Sequence, residues 1–244
     1  MKVLILAAGY GTRLYPLTIN TSKALLPIKG KVLLNFIMDK IDNLKKFFPI
    51  EEVIIVSNER FYKDFLDWKK KFKFDVRVIN DGTSSPENRK GAVGDIDFVI
   101  GKEVVESDWL VVGSDNFFDW GLSDFVHFSL DKRPAITVGV YDLKDKNKAT
   151  RFGVVKLLDT MKVKDFVEKP KEPFSTCVAV CIYFLCKESL KYIRRFIEET
   201  KGVDAVGKYI EWMVKNYTVY GYEFEGNWLD VGHKDALELI ERLV

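Results

Sequence analysis

Apolar positions in the first half of the chain follow two alternating patterns. Unbroken apolar runs at Lys2–Leu6, Val53–Ser57, Val76–Ile79 and Trp109–Gly113 have the length and branched content of buried strands. Between them, Val32–Phe48 carries Leu33, Leu34, Ile37, Met38, Ile41 and Leu44 at helical spacing, and Arg60–Phe72 and Gly91–Ile100 read as two further helices. Strands alternating with helices predict a doubly wound α/β core around a mostly parallel sheet. Ligands of such sheets bind beyond the carboxyl ends of the strands, where Gly9–Arg13 and Asp115 would fall.

The second half is richer in strand patterns. Ala135–Tyr141, Gly153–Leu158, Val163–Glu168, Val178–Leu185 and Val219–Phe224 read as strands, some of them antiparallel, with helices over Lys187–Thr200, Asp204–Lys215 and His233–Leu243. No stretch has the composition of a flexible linker, so residues 1–244 are expected to form one continuous domain. Residues 80–91 are the most loop-like segment.

Charge narrows the partners. The 38 Lys and Arg residues nearly balance 36 Asp and Glu, leaving +2, so no global field draws the chain to nucleic acid or an anionic membrane. The longest apolar run, Cys177 to Cys186, is about half of what a bilayer span requires. The amino-terminal apolar stretch is too short for a signal-peptide core, and a cytoplasmic protein is expected. Cys177, Cys181 and Cys186 share one apolar segment without a Cys-x-x-Cys, which predicts reduced, buried thiols.

Candidate chemistry begins where the first strand ends. Ala7, Ala8, Gly9 and Gly11 have little or no side chain, so backbone N–H groups there can approach a ligand closely. Arg13 offers a planar fork of donors to phosphate, and Lys23 a second, compact charge. A dinucleotide fingerprint would need glycine in place of Leu14, and a P-loop would need Gly-Lys-Ser/Thr, which is absent. Alone, the segment reads equally well as a strand turning into a solvated basic loop. Asp115, directly after the strand Trp109–Gly113 and Ser114, is either a metal ligand or a turn cap. Asp230 lies among Trp228 and Leu229, where an unpaired carboxylate would be costly and a metal would relieve the cost. Gly153, in Arg151-Phe152-Gly153-Val154-Val155, permits close approach of another group. Glu168 and Lys169, in Phe166-Val167-Glu168-Lys169-Pro170, can accept from hydroxyls and neutralise an anion, or simply end an exposed strand.

Taken together, Leu6–Ile28 closely resembles the signature of the sugar-phosphate nucleotidyltransferases, among them the glucose-1-phosphate thymidylyl-, uridylyl- and cytidylyltransferases. Val111–Phe118 resembles the family's strand–Gly–Asp–Asn metal segment, with Ser114 inserted. Arg151–Val155 with Phe166–Pro170 resembles its sugar-phosphate block, and Asn227–His233 its late Trp-x-Asp-x-Gly motif. The resemblance implies a nucleotide-diphospho-sugar transferase fold with a nucleotide-binding half, 1–118, and a β-rich sugar-phosphate-binding half, 119–244. It implies Arg13, Lys23 and Lys169 as catalytic residues, and Mg²⁺ held by Asp115 and Asp230. Leu6, Ala8, Gly9, Gly11, Thr12, Arg13, Lys23 and Gly91 would bind nucleotide, and Gly153, Glu168 and Lys169 sugar phosphate.

The implied reaction joins a nucleoside triphosphate, dTTP or UTP foremost, to a sugar-1-phosphate and releases pyrophosphate. Because both reactants are anionic, the protein needs cations, N–H groups and a metal more than acid–base groups. A homo-oligomer is compatible with the sequence. The chain departs from the family at Ser22, where proline is usual and whose absence would loosen the Lys23 loop, at Cys181 in place of glycine, and at His233 in place of threonine. It also has no glutamine to read a base, for which Asn88 or backbone groups would have to substitute. Two other enzyme readings remain: a cytidylyltransferase for a non-sugar alcohol phosphate, and a metal-dependent glycosyltransferase, which would usually show a second aspartate near Asp115. A nucleotide sensor without activity is the non-enzymatic reading.

Overall fold

The computed structural model describes residues 1–72, 75–103, 106–201, 204–232 and 234–243. His233 lies outside the described residues. In chain order the first elements are β1 (Lys2–Leu6), β2 (Pro27–Ile28), β3 (Lys31–Val32), α1 (Leu33–Lys45), β4 (Glu52–Ser57) and α2 (Glu59–Lys71). Next come β5 (Arg77–Asn80), α3 (Gly91–Ile100), β6 (Trp109–Gly113), β7 (Asn116–Phe118), α4 (Ser123–Asp131), β8 (Ile136–Asp142) and α5 (Lys146–Ala149). The chain continues through β9 (Gly153–Leu157), β10 (Val163–Glu168), β11 (Cys177–Leu185), α6 (Lys191–Thr200) and α7 (Val206–Asn216). It ends with β12 (Val219–Glu223), β13 (Trp228–Asp230) and α8 (Lys234–Leu243). The fold is α/β with a mixed sheet and a mostly parallel core. Two compact units divide the chain: Met1–Gly91 with Val112–Leu122 and Gly226–Val244, and Ala92–Val111 with Ser123–Glu225.

The first unit is built on parallel strands. β1 pairs with β4, Lys2 opposite Glu52, and β4 with β5, Ile54 opposite Arg77. Val3, Leu4 and Ile5 are fully buried, as an apolar run covered on both faces requires. α1 turns Leu33, Leu34, Ile37, Met38, Ile41 and Leu44 inward, and α2 turns in Phe61, Phe65 and Trp68. A separate buried cluster of Leu14, Leu26, Ile28, Leu33, Phe117, Val231 and Ile240 packs the segments that follow β1 against α1, β7 and α8. Apolar burial of this kind contributes about 25 cal/mol per Å² and fixes these otherwise irregular segments.

The second unit is largely antiparallel. β9 pairs with β10 and β11, β11 pairs with β8, and β12 joins β8 in parallel with Val219 opposite Ile136. Val138, Val140, Val178, Val180, Ile182 and Phe184 are fully buried. α6 and α7 meet through Phe196 and Tyr209, whose rings cross edge to face with centroids 5.5 Å apart. The helix predicted over Lys187–Thr200 divides into a short 3-10 turn, Lys187–Ser189, and α6.

Candidate active site

β1 ends in a loop whose course is fixed from both sides. Ala7 donates to the Val56 carbonyl at 2.9 Å, and Ser114 donates to the Leu6 carbonyl at 3.0 Å. Asn58, fully buried at the head of α2, caps that helix by accepting from Phe61 N–H through Oδ1 at 3.1 Å. Its Nδ2 donates to the Ala8 carbonyl at 2.9 Å. One amide therefore ties the loop to a helix start.

The two glycines of the loop serve different needs. Gly11 adopts φ +62°, which favours glycine, and a Cβ there would press on Thr18 at 3.2 Å. Thr18 already holds this turn by donating to the Gly11 carbonyl at 2.7 Å. A Cβ on Gly9 would meet no protein atom within 4 Å and would project into open space. Leu14 is buried after the 3-10 turn Thr12–Leu14, while Arg13 stays exposed.

Lys23 opens a second 3-10 turn anchored by buried Ala24. Its Nζ lies 2.7 Å from Oδ2 of Asp115. Burial alone would push the Asp115 carboxyl up. The Lys23 charge and hydrogen bond, a backbone hydrogen bond and the charge of Arg13 outweigh burial and hold it below the usual aspartate value. Ser22, the departure from proline, is buried with φ −63° and ψ 142°, within the range a proline ring imposes. The loop is therefore not loosened through this residue.

Asp230 reaches the same region through a strand pair. β13 runs antiparallel to β7 with Asp230 opposite Asn116, and Val231 N–H donates to the Asp115 carbonyl at 2.9 Å. Asn116 stiffens the corner: it accepts from Trp228 Nε1 at 2.8 Å and donates to the Gly113 carbonyl at 3.1 Å. A Cβ on Gly232 would stand 2.7 Å from Oδ2 of Asp230 and 3.9 Å from a guanidinium nitrogen of Arg13. Asp115, in the turn between β6 and β7, and Asp230, at the end of β13, are each partly covered and supply the hard oxygen donors that suit Mg²⁺. The residues present fit such an ion.

A cavity of about 260 Å³ opens here, lined by Leu6, Gly9, Gly11, Thr12, Arg13, Lys23, Asp115 and Gly232. Ala8 and Gly91 do not line it; Gly91, at φ +74°, is the first residue of α3. Tyr10, Pro86, Arg89 and Ser114 also line it and carried no assigned role in the sequence. Tyr10 is held by donating to Thr83 Oγ1 at 3.2 Å, and Thr83 donates to Asp81 at 2.8 Å, all three residues being buried. Burial raises the Tyr10 hydroxyl above its ordinary value. Asn88 is committed elsewhere, since its Oδ1 accepts from Ser85 N–H at 3.0 Å in a capping box.

Gly153, Glu168 and Lys169 belong to the second unit. The space a Cβ on Gly153 would occupy is filled by the Phe166 ring and, at 3.1 Å, by Oε2 of Glu168. The close approach that requires glycine there comes from the chain's own side chains. Lys169 has φ +49°, donates its N–H to the Phe152 carbonyl at 3.0 Å, and places Nζ 3.5 Å from Oε1 of Glu168. Burial raises the Glu168 carboxyl, against the lowering influence of Lys169 and Lys208.

The chain resembles known proteins over nearly its whole length. A model of the family described as nucleotidyl transferase matches residues 2–243. The bifunctional protein GlmU of Methanocaldococcus jannaschii is 28% identical over 241 residues, covering 98% of this chain and 53% of that protein. A provisionally named mannose-1-phosphate guanyltransferase of Sulfolobus acidocaldarius is 26% identical over 233 residues, covering 95% of this chain and 60% of the relative. The chain thus spans about half the length of the GlmU relative it matches. A provisionally named glucose-1-phosphate thymidylyltransferase from Bacillus anthracis, crystallised with a sucrose, shares the fold. Its TM-score is 0.86 at 23% identity, covering 100% of this chain and 94% of that one. Among the described residues no helix is long and apolar enough to cross a membrane.

Proposed function

The chain belongs to the nucleotidyl transferase family, and from that premise we propose that it transfers a nucleotidyl group from a nucleoside triphosphate to a sugar-1-phosphate. An oxygen of the sugar phosphate attacks the α-phosphorus, the bond from that phosphorus to the bridging oxygen breaks, and pyrophosphate departs with the bonding electrons. The observation that carries this reading is the cavity after β1, which gathers Gly9, Gly11, Thr12, Arg13, Lys23 and Asp115 at one place.

In this reading the loop N–H groups, Arg13 and Lys23 hold the triphosphate and offset its charge. The open space beside Gly9 lets the backbone come within hydrogen-bonding reach of the nucleotide. Leu6 and Gly9, which line the cavity, shape the place for the base, with dTTP or UTP taken first. Lys169 neutralises the incoming phosphate, and Glu168 accepts from sugar hydroxyls. Asp115 and Asp230 would hold Mg²⁺, which supplies charge neutralisation at the phosphate oxygens. A sugar phosphate is already a nucleophile at neutral pH, so no side chain need remove a proton.

Pyrophosphate release measured over dTTP, UTP, CTP, GTP and ATP, each against glucose-1-phosphate, mannose-1-phosphate and phosphocholine, tests the proposal. The expected result is turnover with a sugar phosphate, dTTP and UTP lying within about two orders of magnitude of each other and ahead of the purines. Turnover with phosphocholine alone would move the activity to an alcohol phosphate, and a clear preference for GTP or ATP would overturn the pyrimidine assignment.

A further inference from the structure

Glu168 is assigned above to the sugar phosphate, yet it is well covered, with 11% of its side chain exposed. Its seat is made by helix α7. A Cβ on Gly207, the second residue of α7, would fall on the Glu168 carboxylate, so that carboxylate rests directly on the Gly207 backbone. Any other residue at 207 would displace it. Four residues along the same helix face, Glu211 faces the strand end that bears Glu168. Glu211 Oε2 accepts the Glu168 backbone N–H at 3.3 Å and Lys208 Nζ at 2.9 Å, while Oε1 accepts Lys215 Nζ at 2.8 Å.

Each contact acts on a different part of Glu168. Glu211 fixes its main chain, and Gly207 receives its carboxyl group. Lys169 and Lys208 flank it with positive charge. Burial pushes Glu211 up, but its bonds to Lys215 and Lys208 and to the Glu168 N–H hold it below the usual glutamate value. It therefore stays an ionised acceptor. The division of labour does not follow from the Phe166–Pro170 motif, because both new residues lie on a separate helix.

We propose that Gly207 and Glu211 are positioning residues for Glu168, so that α7 sets how tightly the enzyme takes its sugar-1-phosphate. This rests on the reading in which Glu168 contacts that substrate. The test is steady-state kinetics with glucose-1-phosphate and dTTP, or the faster pair from the panel above, on Gly207→Ala, Glu211→Ala, Glu211→Gln and Glu168→Ala.

Gly207→Ala and Glu211→Ala should raise KM for the sugar phosphate about tenfold or more while changing KM for the nucleotide by less than about twofold. Glu211→Gln keeps an acceptor oxygen for the Glu168 N–H and should recover most of the loss. A merely structural role predicts something else for Gly207→Ala: the clash of its Cβ with the Glu168 carboxylate would lower Tm while leaving the sugar-phosphate KM unchanged or moving both KM values together. If Glu168→Ala raises that KM and neither α7 variant does, α7 does not position Glu168. If Glu168→Ala leaves it unchanged, the assignment of Glu168 to the substrate has failed, and the proposal falls with it.

Discussion

The ammonium of Lys23 and the carboxylate of Asp115, 92 residues apart in the chain, meet at 2.7 Å beside the loop that follows β1. Exposed ion pairs contribute little to stability, but this one is half covered and shares its surroundings with Arg13. It fixes the carboxylate in its ionised form, the form a divalent cation needs. The first prediction starts from that carboxylate. Asp115→Ala and Asp230→Ala should each lower turnover about a hundredfold or more with the fold kept, because a metal supplies several kcal/mol to the transition state. Pyrophosphate release at saturating nucleotide, with circular dichroism as the control for folding, measures this. Undiminished turnover in either variant would take that aspartate out of the metal site.

The same pair sets a pH dependence. Asp115 is held below its ordinary value in the folded protein, so its stabilising contribution is present above the usual aspartate range and disappears as pH falls through the folded value. Lys23→Met should therefore lower the urea midpoint at about pH 6 and have progressively less effect below about pH 4. A gap between wild type and variant that stays constant down to the acid limit would mean that the pair is energetically idle.

Arg13 and Lys169 should separate the two substrates. Arg13→Ala is expected to weaken handling of the triphosphate, and Lys169→Ala chiefly to raise KM for the sugar phosphate. Titrating each substrate at saturation of the other reads this directly. Equal effects of both variants on both substrates would refute the division.

Ser22 offers a stability test free of catalysis. Its φ of −63° matches the angle that a proline ring imposes, and its N–H enters no hydrogen bond among the described residues. Ser22→Pro should raise stability by about 0.4–1 kcal/mol through the unfolded chain. Chemical denaturation gives the sign, and a lower midpoint would show that the turn before Lys23 has to flex.

Cys186 is fully buried, its thiol is pushed up to about 12 by burial and by nearby Asp108 and Glu188, and its Sγ lies 3.2 Å from the Ala135 carbonyl. Thiolate is the reactive species, so Cys186 should resist iodoacetamide in the native protein even in mild alkali and label readily in denaturant. Peptide mass mapping identifies the site. Labelling of native Cys186 at neutral pH would contradict its burial.

The parallel strands of the first unit and their helices were legible because each carries its own period. β1 begins and ends where the apolar pattern places it, and so do β6, α3 and, in the largely antiparallel second unit, β10. Residues whose role is tertiary were not. β7 and β13 have three residues each and are strands only because they pair with each other, 112 residues apart from Asn116 to Trp228. α4 buries Phe125, Val126 and Ser129, while Phe128 and Leu130 blur its stripe. Gly153 is informative in the opposite sense. Its identity suggested room for a ligand, whereas Phe166 and Glu168 already occupy that room. Nothing local to Tyr10 or Arg89 marked them as cavity walls, because each depends on where residues 81–89 return.

The β7–β13 pair also constrains the order in which the protein can be finished. Every residue from Ser123 to Glu225 is made after Asp115 and before Asp230, and all of them belong to the other unit. A ribosome that has reached Glu225 has delivered Gly9, Arg13, Lys23 and Asp115, but neither the strand that faces Asn116 nor the second aspartate. Until Trp228–Asp230 is synthesised, Asn116 has no indole to accept from and β7 has no partner in β13. Completion of the candidate metal site thereby waits until the whole of Ser123–Glu225 has been made.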